Sequence, residues 1–439
     1  MIQKMKGTED ILPNEVTVWQ YVEDIAREIF DTYMFKEIRT PMFESLELFQ
    51  RGVGDSTDIV SKEMYHFTDK GDRDIALRPE GTAPVVRAFV EHKLFGPEYP
   101  KPLKLYYMGP MFRFERPQAG RQRQFTQLGV EVLGSQNPMN DAEAIAMAWD
   151  LFNELGISKI KVCLNSLGKP EDRQAYRQAL IDYYEPHLDQ LSDDSQRRLH
   201  TNPLRILDSK EPADKQFLAG APVITDYLSE ESQQHFKAVC QMLDALQIPY
   251  VIDPYIVRGL DYYQDTIFEI IVEDDAIGAQ STICGGGRYD GLVEDLGGPQ
   301  TPGFGFAIGM ERLLLLLKQQ EVDIPIEDDL DVFVMTFGEQ ANLEAFKVIH
   351  AIRQAGYRVD NDMLGRSLKS QFKTVSKMGT KLLLTIGEDE LEKGIVQIKN
   401  QANGKKSEVP LQDVLEDFAP IYRKYTMDTS IIDKFFEGE

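Results

Sequence analysis

Apolar and polar positions follow helical spacing at the start of the chain and strand spacing farther along. After Pro13 the apolar positions recur every three or four residues, which predicts an N-terminal helix with Asn14 as its cap. Its apolar positions are Val18, Tyr21, Val22, Ile25, Ile29 and Phe30. Near residue 130 the pattern alternates instead, which predicts a half-buried strand. Leu128, Val130 and Val132 form its apolar face, whereas Phe125, Gln127, Gly129 and Glu131 share the other face.

The same patterns divide the chain into domains. From about residue 168 to 249 the composition shifts toward Gln, Asp, Ser and Leu at helical spacing, which predicts a mostly helical insertion. Beyond the acidic segment Glu321–Asp331, strands alternate with helices that end at Gly356 and Gly379. This alternation predicts a small α/β domain with a mainly parallel sheet. We therefore expect domains at 1–325, with the insertion at about 168–249, and at 330–425, followed by a tail at 426–439.

Polar residues concentrate in the segment MFRFERPQAGRQRQFTQLGVE, which reads as two strands joined by a basic loop. Arg113 and Glu115 lie two apart on the first strand and should point the same way. The loop adds positive charge around Gly120, and a glycine at 129 clears space above the sheet, as a small ligand would require. Its basic residues are Arg116, Arg121 and Arg123. Arginines suit phosphates, an aromatic ring suits a stacked base, and Gln with Glu suits a hydrogen-bonding substrate; the alternative is an ordinary solvated hairpin.

Two further segments present polar groups at strand ends. In IALRPEGTAP, Glu80 could pair with a ligand's ammonium group while the backbone at Gly81 approaches it. A capping arrangement, with Thr82 at the N-cap of a helix beginning near Ala83, explains the same residues, and the sequence leaves both open. In IVRGLDYYQDTIFE, a loop presents Arg258, Tyr262 and Tyr263, although buried tyrosines are usually core residues with one satisfied hydroxyl.

Two glycine-rich segments follow. CGGGRYDGLVEDLGG has neither common phosphate-loop pattern, so we expect its glycines to form a tight turn that places Arg288 and Tyr289. PGFGFAIGMERLLLLL predicts a glycine-rich strand that leads into a helix with Glu311 and Arg312 at its start.

Composition narrows the classes of function. A net charge of −24 argues against indiscriminate nucleic-acid binding but allows a specific RNA partner that meets a local basic surface. One such surface is a predicted helical stripe of Arg366, Lys369, Lys373 and Lys377, for which a solvated helix face is the alternative. The longest apolar run, Leu313–Leu317, is far too short for a membrane span, and no secretory signal is apparent. Three scattered cysteines favour neither zinc nor disulfides and fit the cytoplasm.

These segments together resemble a known family. The FRxERP, GRxRQF and Q-x-G-x-E patterns resemble motif 2 of the class II aminoacyl-tRNA synthetases, and in detail the histidyl-tRNA synthetases. FKEIRTPMFESLELF resembles motif 1, which builds much of the dimer interface, and the segment before Arg312 resembles motif 3. RGLDYY and GGGRYDGL resemble the family's two histidine-specific segments. The resemblance covers nearly the whole chain. It implies an α+β catalytic domain built on an antiparallel sheet, with a helical insertion, plus a C-terminal α/β anticodon-binding domain.

The resemblance also implies an activity and its partners. The family activates L-histidine with ATP to histidyl-adenylate and transfers histidine to the terminal adenosine of its tRNA, as a cytoplasmic homodimer. Mg²⁺ is expected on the pyrophosphate portion of ATP, although the sequence does not single out its ligands. The insertion would touch the tRNA acceptor stem. A non-catalytic paralogue, the regulatory subunit of ATP phosphoribosyltransferase, is the alternative, but such paralogues typically lack the C-terminal domain and the arginines present here.

Residue roles carried over from the family fall into four groups. Arg113 and Arg258 would be catalytic, stabilising charge on the α-phosphoryl group. An imidazole needs a partner at each ring nitrogen, which Glu131 and a tyrosine hydroxyl could supply. The residues implied in histidine binding are Glu80, Gly81, Thr82, Arg113, Gln127, Glu131, Arg258, Tyr262, Tyr263 and Tyr289. Those implied in ATP binding are Arg113, Glu115 and Phe125 at the adenine and α-phosphate, with Arg121 and Arg312 at the outer phosphates. Those implied in tRNA binding are Arg116, Arg123, Lys369, Lys373 and Lys377.

Overall fold

The chain folds into two compact units, Met1–Ile324 and Pro325–Glu439. The computed structural model describes residues 1–54, 57, 59–209, 211–260, 262–273, 282–325 and 330–427. The boundary between the units falls within the acidic segment Glu321–Asp331, of which residues 326–329 lie outside the described part. The predicted tail is likewise outside it from residue 428 onward.

The strands of the first unit build one large sheet and one small sheet. They are β1 (Lys36–Glu37), β2 (Phe43–Ser45), β3 (His66–Thr68), β4 (Asp74–Leu77), β5 (Leu103–Phe112), β6 (Gln124–Leu133), β7 (Ile160–Ser166), β8 (Tyr250–Ile252), β9 (Gln264–Val272), β10 (Thr282–Arg288) and β11 (Gly303–Gly309). Among the described residues the large sheet has the order β1-β5-β6-β11-β10-β9-β7-β8, and the small sheet has the order β2-β4-β3. The large sheet is antiparallel from β5 to β7, with a parallel pair at each edge. This arrangement confirms the expected antiparallel catalytic fold.

Helices of the first unit cover one face of the large sheet and build the insertion. They are α1 (Pro13–Thr32), α2 (Leu46–Phe49), α3 (Thr82–Glu91), α4 (Pro138–Glu154), α5 (Pro170–Tyr184), α6 (Asp193–Arg198), α7 (Leu204–Leu207), α8 (Pro212–Leu218), α9 (Glu230–Ala245), α10 (Leu292–Asp295) and α11 (Met310–Gln319). The main core joins α1, α4, α9 and α11 to the apolar face of β6, where Leu128, Val130 and Val132 are buried as the alternation predicts. The opposite face of β6 is left for polar groups.

The insertion has a small core of its own. Tyr176, Leu180 and Tyr184 of α5 pack against Leu199 and Ile224 from the following segments. Its last helix, α9, instead buries Phe236, Val239 and Leu243 in the main core beside α4. The segment predicted to be mostly helical is therefore helical, and its last helix is anchored to the catalytic sheet.

Three local predictions are wrong. Helix α1 begins at Pro13 with Leu12 at its N-cap, so Asn14 lies inside the helix. Strand β5 ends at Phe112, so Arg113 and Glu115 lie in the loop after it. The CGGGR segment is strand β10 and not a turn, because its glycines let neighbouring groups approach the backbone closely.

The second unit is a smaller sheet with helices. Its elements are β12 (Val332–Thr336), α12 (Glu339–Gln354), β13 (Val359–Asn361), α13 (Leu368–Met378), β14 (Leu382–Ile386), α14 (Glu388–Lys393), β15 (Ile395–Asn400), β16 (Lys406–Pro410), α15 (Leu411–Glu416) and α16 (Phe418–Thr426). The strand order is β13-β12-β14-β15-β16, with β12 parallel to β13 and β14, and antiparallel pairing beyond β14. The α/β class is confirmed, but the mainly parallel sheet is wrong. A tight turn joins β15 to β16, and such a connection can only pair strands antiparallel.

No helix in the described part of either unit is long and apolar enough to cross a membrane.

Candidate active site

A cavity of about 390 Å³ opens on the polar face of the large sheet. It brings together residues from the loop after β5, from β6, from the loop before β9 and from the start of α11. Seven predicted site residues line it: Arg113, Glu115, Arg121, Phe125, Gln127, Arg258 and Arg312. Segments far apart in sequence thus converge on one place, where four of the seven side chains are arginines.

The arginines form a positively charged wall. Arg312, at the start of α11, donates from Nη1 to the carbonyl oxygen of Thr282 at 2.6 Å. Burial lowers the pKa of Arg312, and the nearby charges of Arg121 and Arg113 lower that pKa further. Like charges held this close attract an anion, and a polyphosphate supplies several negative oxygens at once.

Arg258 is fixed on the floor of the cavity. Its Nη1 donates to Oε1 of Glu269 at 2.5 Å, and Thr282 donates its hydroxyl to the other carboxylate oxygen at 2.8 Å. Burial alone would lower the pKa of Arg258, but the charge of Glu269 raises it above its usual value. A side chain at Gly285 would overlap the guanidinium, so this glycine lets Arg258 lie against β10. The cation is therefore permanently charged and oriented before any ligand arrives.

Arg113 connects the cavity with the loop before α3. Its Nε donates to the carbonyl oxygen of Pro79 at 2.8 Å, and its guanidinium lies 5.1 Å from the centre of the Phe125 ring. Oε1 of Glu115 lies 3.9 Å from Nη1 of Arg113. The other carboxylate oxygen of Glu115 accepts a hydrogen bond from Nη1 of Arg121 at 3.1 Å. These side chains are thus positioned around the cavity by contacts within the loop, and not by a strand as the sequence predicted.

The loop before α3 resolves one of the alternatives that the sequence left open. The Glu80 carboxylate accepts from the backbone N–H groups of Thr82 and Ala83, both at 2.8 Å, and so caps the helix. The expectation of Thr82 as the N-cap is wrong, because α3 begins at Thr82 and Gly81 precedes it. The Thr82 hydroxyl is used elsewhere: it donates to Oε1 of Glu131 at 2.7 Å. A contact between Glu80 and a substrate ammonium stays a prediction.

Glu131 is the centre of a second, buried polar group that does not line the cavity. Its side chain is fully buried and accepts from the hydroxyls of Thr82 and Tyr289. Burial raises the pKa of Glu131 to about 8, although those two hydroxyls act in the opposite direction. The ring of Tyr262 is tilted against that of Tyr263, with ring centres 4.7 Å apart, and its centre lies 5.6 Å from that of the Tyr289 ring. The Glu131 carboxyl, with its pKa raised by burial, therefore lies between hydroxyl donors and next to a cluster of tyrosine rings.

Tyr107 belongs to this group and was missed by the sequence analysis. It pairs with Gly129 across the β5–β6 ladder, and its ring lies where a side chain at Gly129 or Gly81 would stand. The interpretation that Gly129 clears space for a ligand is therefore wrong, because the tyrosine ring takes that space. The register of the hairpin could have revealed the pair, but the irregular loop at 113–123 conceals the register in the sequence.

Three carboxylates that line the cavity were also missed as site residues: Asp208, Glu269 and Glu311. Glu269 holds Arg258, as described above. Glu311 accepts from the backbone N–H of Thr126 at 2.8 Å, and burial raises its pKa to about 7. Within the described ranges, no group of three or more His, Cys, Asp or Glu side chains is arranged to hold a metal ion.

The residues predicted to bind tRNA lie outside the cavity. Arg116 is exposed, and Arg123 stacks 3.9 Å from the centre of the Phe114 ring. In the second unit, Lys369, Lys373 and Lys377 are exposed along α13. Arg366 precedes this helix and pairs with Asp362, so the predicted basic stripe contains three lysines and not four charges.

Comparison with known proteins agrees with this geometry. A family model described as histidyl-tRNA synthetase matches residues 7–313, and one described as anticodon binding domain matches residues 331–419. Two curated proteins named histidine–tRNA ligase, from Limosilactobacillus fermentum and Streptococcus agalactiae, are each 56% identical over 96% of this chain. The matches cover 98% and 99% of those proteins, respectively. The crystal structure of apo Staphylococcus aureus histidyl-tRNA synthetase superposes with a TM-score of 0.82 at 41% identity, covering 97% of this chain and all of that one.

These identities over nearly the full length favour the synthetase over the regulatory paralogue. The arginine-lined cavity and the buried glutamate lie within the first matched region, and the second matched region covers residues 331–419 of the second unit. The chain belongs to the histidyl-tRNA synthetase family.

Proposed function

We propose that this chain joins L-histidine and ATP into histidyl-adenylate, releases pyrophosphate, and then transfers histidine to the terminal adenosine of its cognate tRNA. The observation that carries the proposal is the cavity in which Arg113, Arg121, Arg258 and Arg312 converge beside the buried Glu131. A polyanion and a small hydrogen-bonding substrate would meet at this place. An activity that needs both ligands explains both halves of the site.

ATP would occupy the arginine-lined half. Phe125 would stack on the adenine ring and Glu115 would accept from its amino group. Arg121 and Arg312 would hold the outer phosphates, which relieves the repulsion between their own charges. Arg113 and Arg258 would stabilise the charge that develops when the histidine carboxylate attacks the α-phosphate. Because Glu269 already orients Arg258, little rearrangement would be needed at the transition state.

Histidine would be recognised at the Glu131 group. Burial keeps Glu131 largely protonated at neutral pH, so the carboxyl and a neutral imidazole would share one proton. A tyrosine hydroxyl from Tyr262 or Tyr263 would meet the other ring nitrogen, and Gln127 with Glu80 and Thr82 would hold the α-amino group. Analogues that lack a matching polar group would leave buried groups unpaired, and such a site rejects them strongly.

Mg²⁺ fits the cavity as an ion carried by ATP. It prefers oxygen ligands and commonly takes one or two carboxylates together with substrate phosphates. Glu269 and Glu311 line the cavity, although each already accepts a hydrogen bond within the protein. The ion would neutralise charge on the phosphates, and the arginines would orient the same phosphates in its presence.

Transfer to tRNA and assembly involve other surfaces. Lys369, Lys373 and Lys377 would contact tRNA phosphates from the second unit, and Arg116 and Arg123 would contact its acceptor end. We also propose a homodimer formed through the motif 1-like segment, where Met42 and Phe43 expose 51% and 58% of their surface. Sedimentation velocity of the wild type and of Phe43→Lys would test the dimer.

Histidine-dependent exchange between ATP and pyrophosphate tests the proposed function directly. The synthetase should show exchange with L-histidine and should charge histidine tRNA. A chain that binds histidine without exchange would support the regulatory paralogue and would exclude the proposal. Arg258→Ala serves as an internal control, since it should slow exchange about 10²–10³-fold.

A further inference from the structure

A buried group of charges lies next to Tyr289, at the end of β10. Arg288 exposes only 1% of its side chain, and Asp141 on α4 exposes none. We propose that Asp141 and Arg288 are positioning residues that hold the Tyr289 hydroxyl on Glu131, and that His235 connects them to the insertion. This inference rests on the proposed binding of histidine at Glu131.

The contacts of Arg288 fix its guanidinium in one orientation. Its Nη2 and Nε both donate to the carboxylate of Asp141, the latter at 3.3 Å. Its Nη1 donates to the carbonyl oxygen of Ser135 at 3.2 Å and to Oδ1 of Asp290 at 3.1 Å. Burial alone would lower the pKa of Arg288, but Asp141 raises it, so the side chain stays charged. A planar group with this many partners has little freedom to move.

Arg288 and Asp290 flank Tyr289 in sequence, so the same contacts restrain the backbone on both sides of the tyrosine. The Tyr289 backbone N–H donates to the carbonyl oxygen of Gly303 at 2.9 Å, and the Gly303 N–H donates back to Asp290 Oδ1 at 3.3 Å. The ring of Tyr289 lies where a side chain at Gly303 would stand. With the backbone and ring placed in this way, the Tyr289 hydroxyl donates to the carboxyl of Glu131.

His235 extends the group to the insertion. It lies on α9, the last helix of the insertion, and its Nε2 is 2.7 Å from Oδ2 of Asp141. On the same helix, Ser232 donates its hydroxyl to Oδ1 of Asp265 at 2.6 Å, next to the start of β9. A displacement of α9 would therefore reach Glu131 through His235, Asp141, Arg288 and Tyr289. This chain of contacts gives the insertion a route to the affinity for histidine.

A buried ion pair could also serve only to stabilise the fold, and removal of one partner is costly in either case. A double-mutant cycle separates the two roles. The variants are Asp141→Asn, Tyr289→Phe and the pair together, and the measurement is the Kd for L-histidine by equilibrium dialysis of the full chain. Each single substitution should raise Kd about three- to tenfold, the effect of one hydrogen bond. The double variant should bind no more weakly than Tyr289→Phe alone, because Asp141 acts through that hydroxyl.

Asp214→Asn is the matched control. Asp214 is also buried, and it accepts from the backbone and hydroxyl of Ser192 and from the hydroxyls of Ser195 and Ser209, in the insertion and away from Glu131. This control should lower Tm without changing Kd for L-histidine or KM for ATP. Independent, multiplicative effects of Asp141→Asn and Tyr289→Phe would overturn the inference, as would an unchanged Kd in Asp141→Asn.

His235→Gln repeats the cycle without disturbing the Asp141–Arg288 pair. If Asp141→Asn does not fold, this milder variant decides: non-additivity with Tyr289→Phe supports the positioning role, and additivity overturns it. Measurements on the wild type distinguish a failure of the proposed function from a failure of this inference. A wild-type protein that does not bind L-histidine contradicts the proposed function, whereas a wild type that binds it no better than the variants contradicts only this inference.

Discussion

Nη1 of Arg258 lies 2.5 Å from Oε1 of Glu269 on the floor of the cavity, and the other carboxylate oxygen of Glu269 accepts from the Thr282 hydroxyl. The pair keeps one cation charged and oriented in a largely buried place. Its value for catalysis is that the donor geometry exists before the substrates bind, and preorganised charge of this kind commonly accounts for much of an enzyme's rate enhancement.

Replacement of Arg258 by Ala should therefore slow adenylate formation by about 10²–10³-fold. The affinity for histidine should change much less, because the charge on the α-phosphate develops only during the reaction. Rapid-quench measurement of the first turnover, with L-histidine titrated in parallel, provides both quantities. Arg116→Ala, an exposed arginine outside the cavity, is the control and should leave adenylation unchanged. A defect confined to histidine binding would exclude the catalytic role of Arg258.

The pKa of Glu131, about 8, predicts a bell-shaped pH dependence of histidine affinity. We expect the complex to hold one proton between Glu131 and the imidazole. Between the imidazole pKa of about 6.5 and pH 8, the free partners also hold one proton, so affinity should be flat there. Above pH 8 binding must take up a proton, and below about 6.5 it must release one, so affinity should fall about tenfold per pH unit on each side.

Calorimetric titrations from pH 5.5 to 9.5 would test this dependence. Glu131→Gln cannot titrate, so the decrease above pH 8 should disappear while overall affinity falls by roughly 1–3 kcal/mol. An affinity that rises through pH 8 in the wild type would show that an ionised Glu131 binds a neutral imidazole, and would contradict the shared proton.

Glu131→Ala offers a simpler test of selectivity. Removal of the carboxyl leaves an imidazole nitrogen without its partner, which should cost roughly 1–3 kcal/mol of histidine binding. Exchange assays at saturating ATP provide the measurement, and unchanged histidine-dependent exchange would contradict the role assigned to Glu131.

The pair of Tyr107 and Gly129 predicts a compensating double substitution. A methyl group at residue 129 would overlap the tyrosine ring, so Gly129→Ala should lower the free energy of unfolding by about 1–3 kcal/mol. Tyr107→Ala should also be destabilising because it empties a buried site, but the double variant should lose less stability than the two single losses combined, because the ring that the new methyl group would overlap is gone. Gly309→Ala is the control, since nothing lies within 4 Å of a side chain added there. Additive losses in urea unfolding would contradict the packing argument.

The exposed lysines of α13 predict an effect on tRNA binding but none on adenylation. Replacing Lys369, Lys373 and Lys377 together by Gln should weaken tRNA binding and lower its dependence on salt by about one unit of slope for each lost phosphate contact. Histidine-dependent exchange should be unchanged. Lys347 and Lys393, exposed on α12 and α14, form the control pair. If affinity and slope are unaltered, the three lysines are only a solvated helix face.

Local patterns predicted a large part of this molecule. The alternation in β6 placed Leu128, Val130 and Val132 in the core, because one-sided burial imposes a period of two on a strand. Seven of the residues that line the cavity were also identified from sequence motifs. The contacts of Tyr107 with Gly129 and of Arg288 with Asp141 were not, because both depend on how distant segments are aligned in space.

The glycines of β10 show why contacts between distant segments cannot be predicted from local sequence patterns. Glycine is common in turns, so three consecutive glycines favoured a turn at this place. In the sheet the deciding factor is instead the close approach of three different neighbours. A prediction from propensity cannot include neighbours that are brought together only by the complete fold.

The three glycines of β10 also limit which substitutions this strand can accept. Gly285 is blocked by Arg258, Gly286 by the backbone of the neighbouring strand at Gly305, and Gly287 by the backbone at Thr266. Three consecutive positions therefore admit no side chain, each for a separate reason, and no single compensating change can free more than one of them. Gly285 lines the cavity, so a side chain there would displace the guanidinium of Arg258. A differently shaped cavity at this strand would therefore require a new position for that arginine.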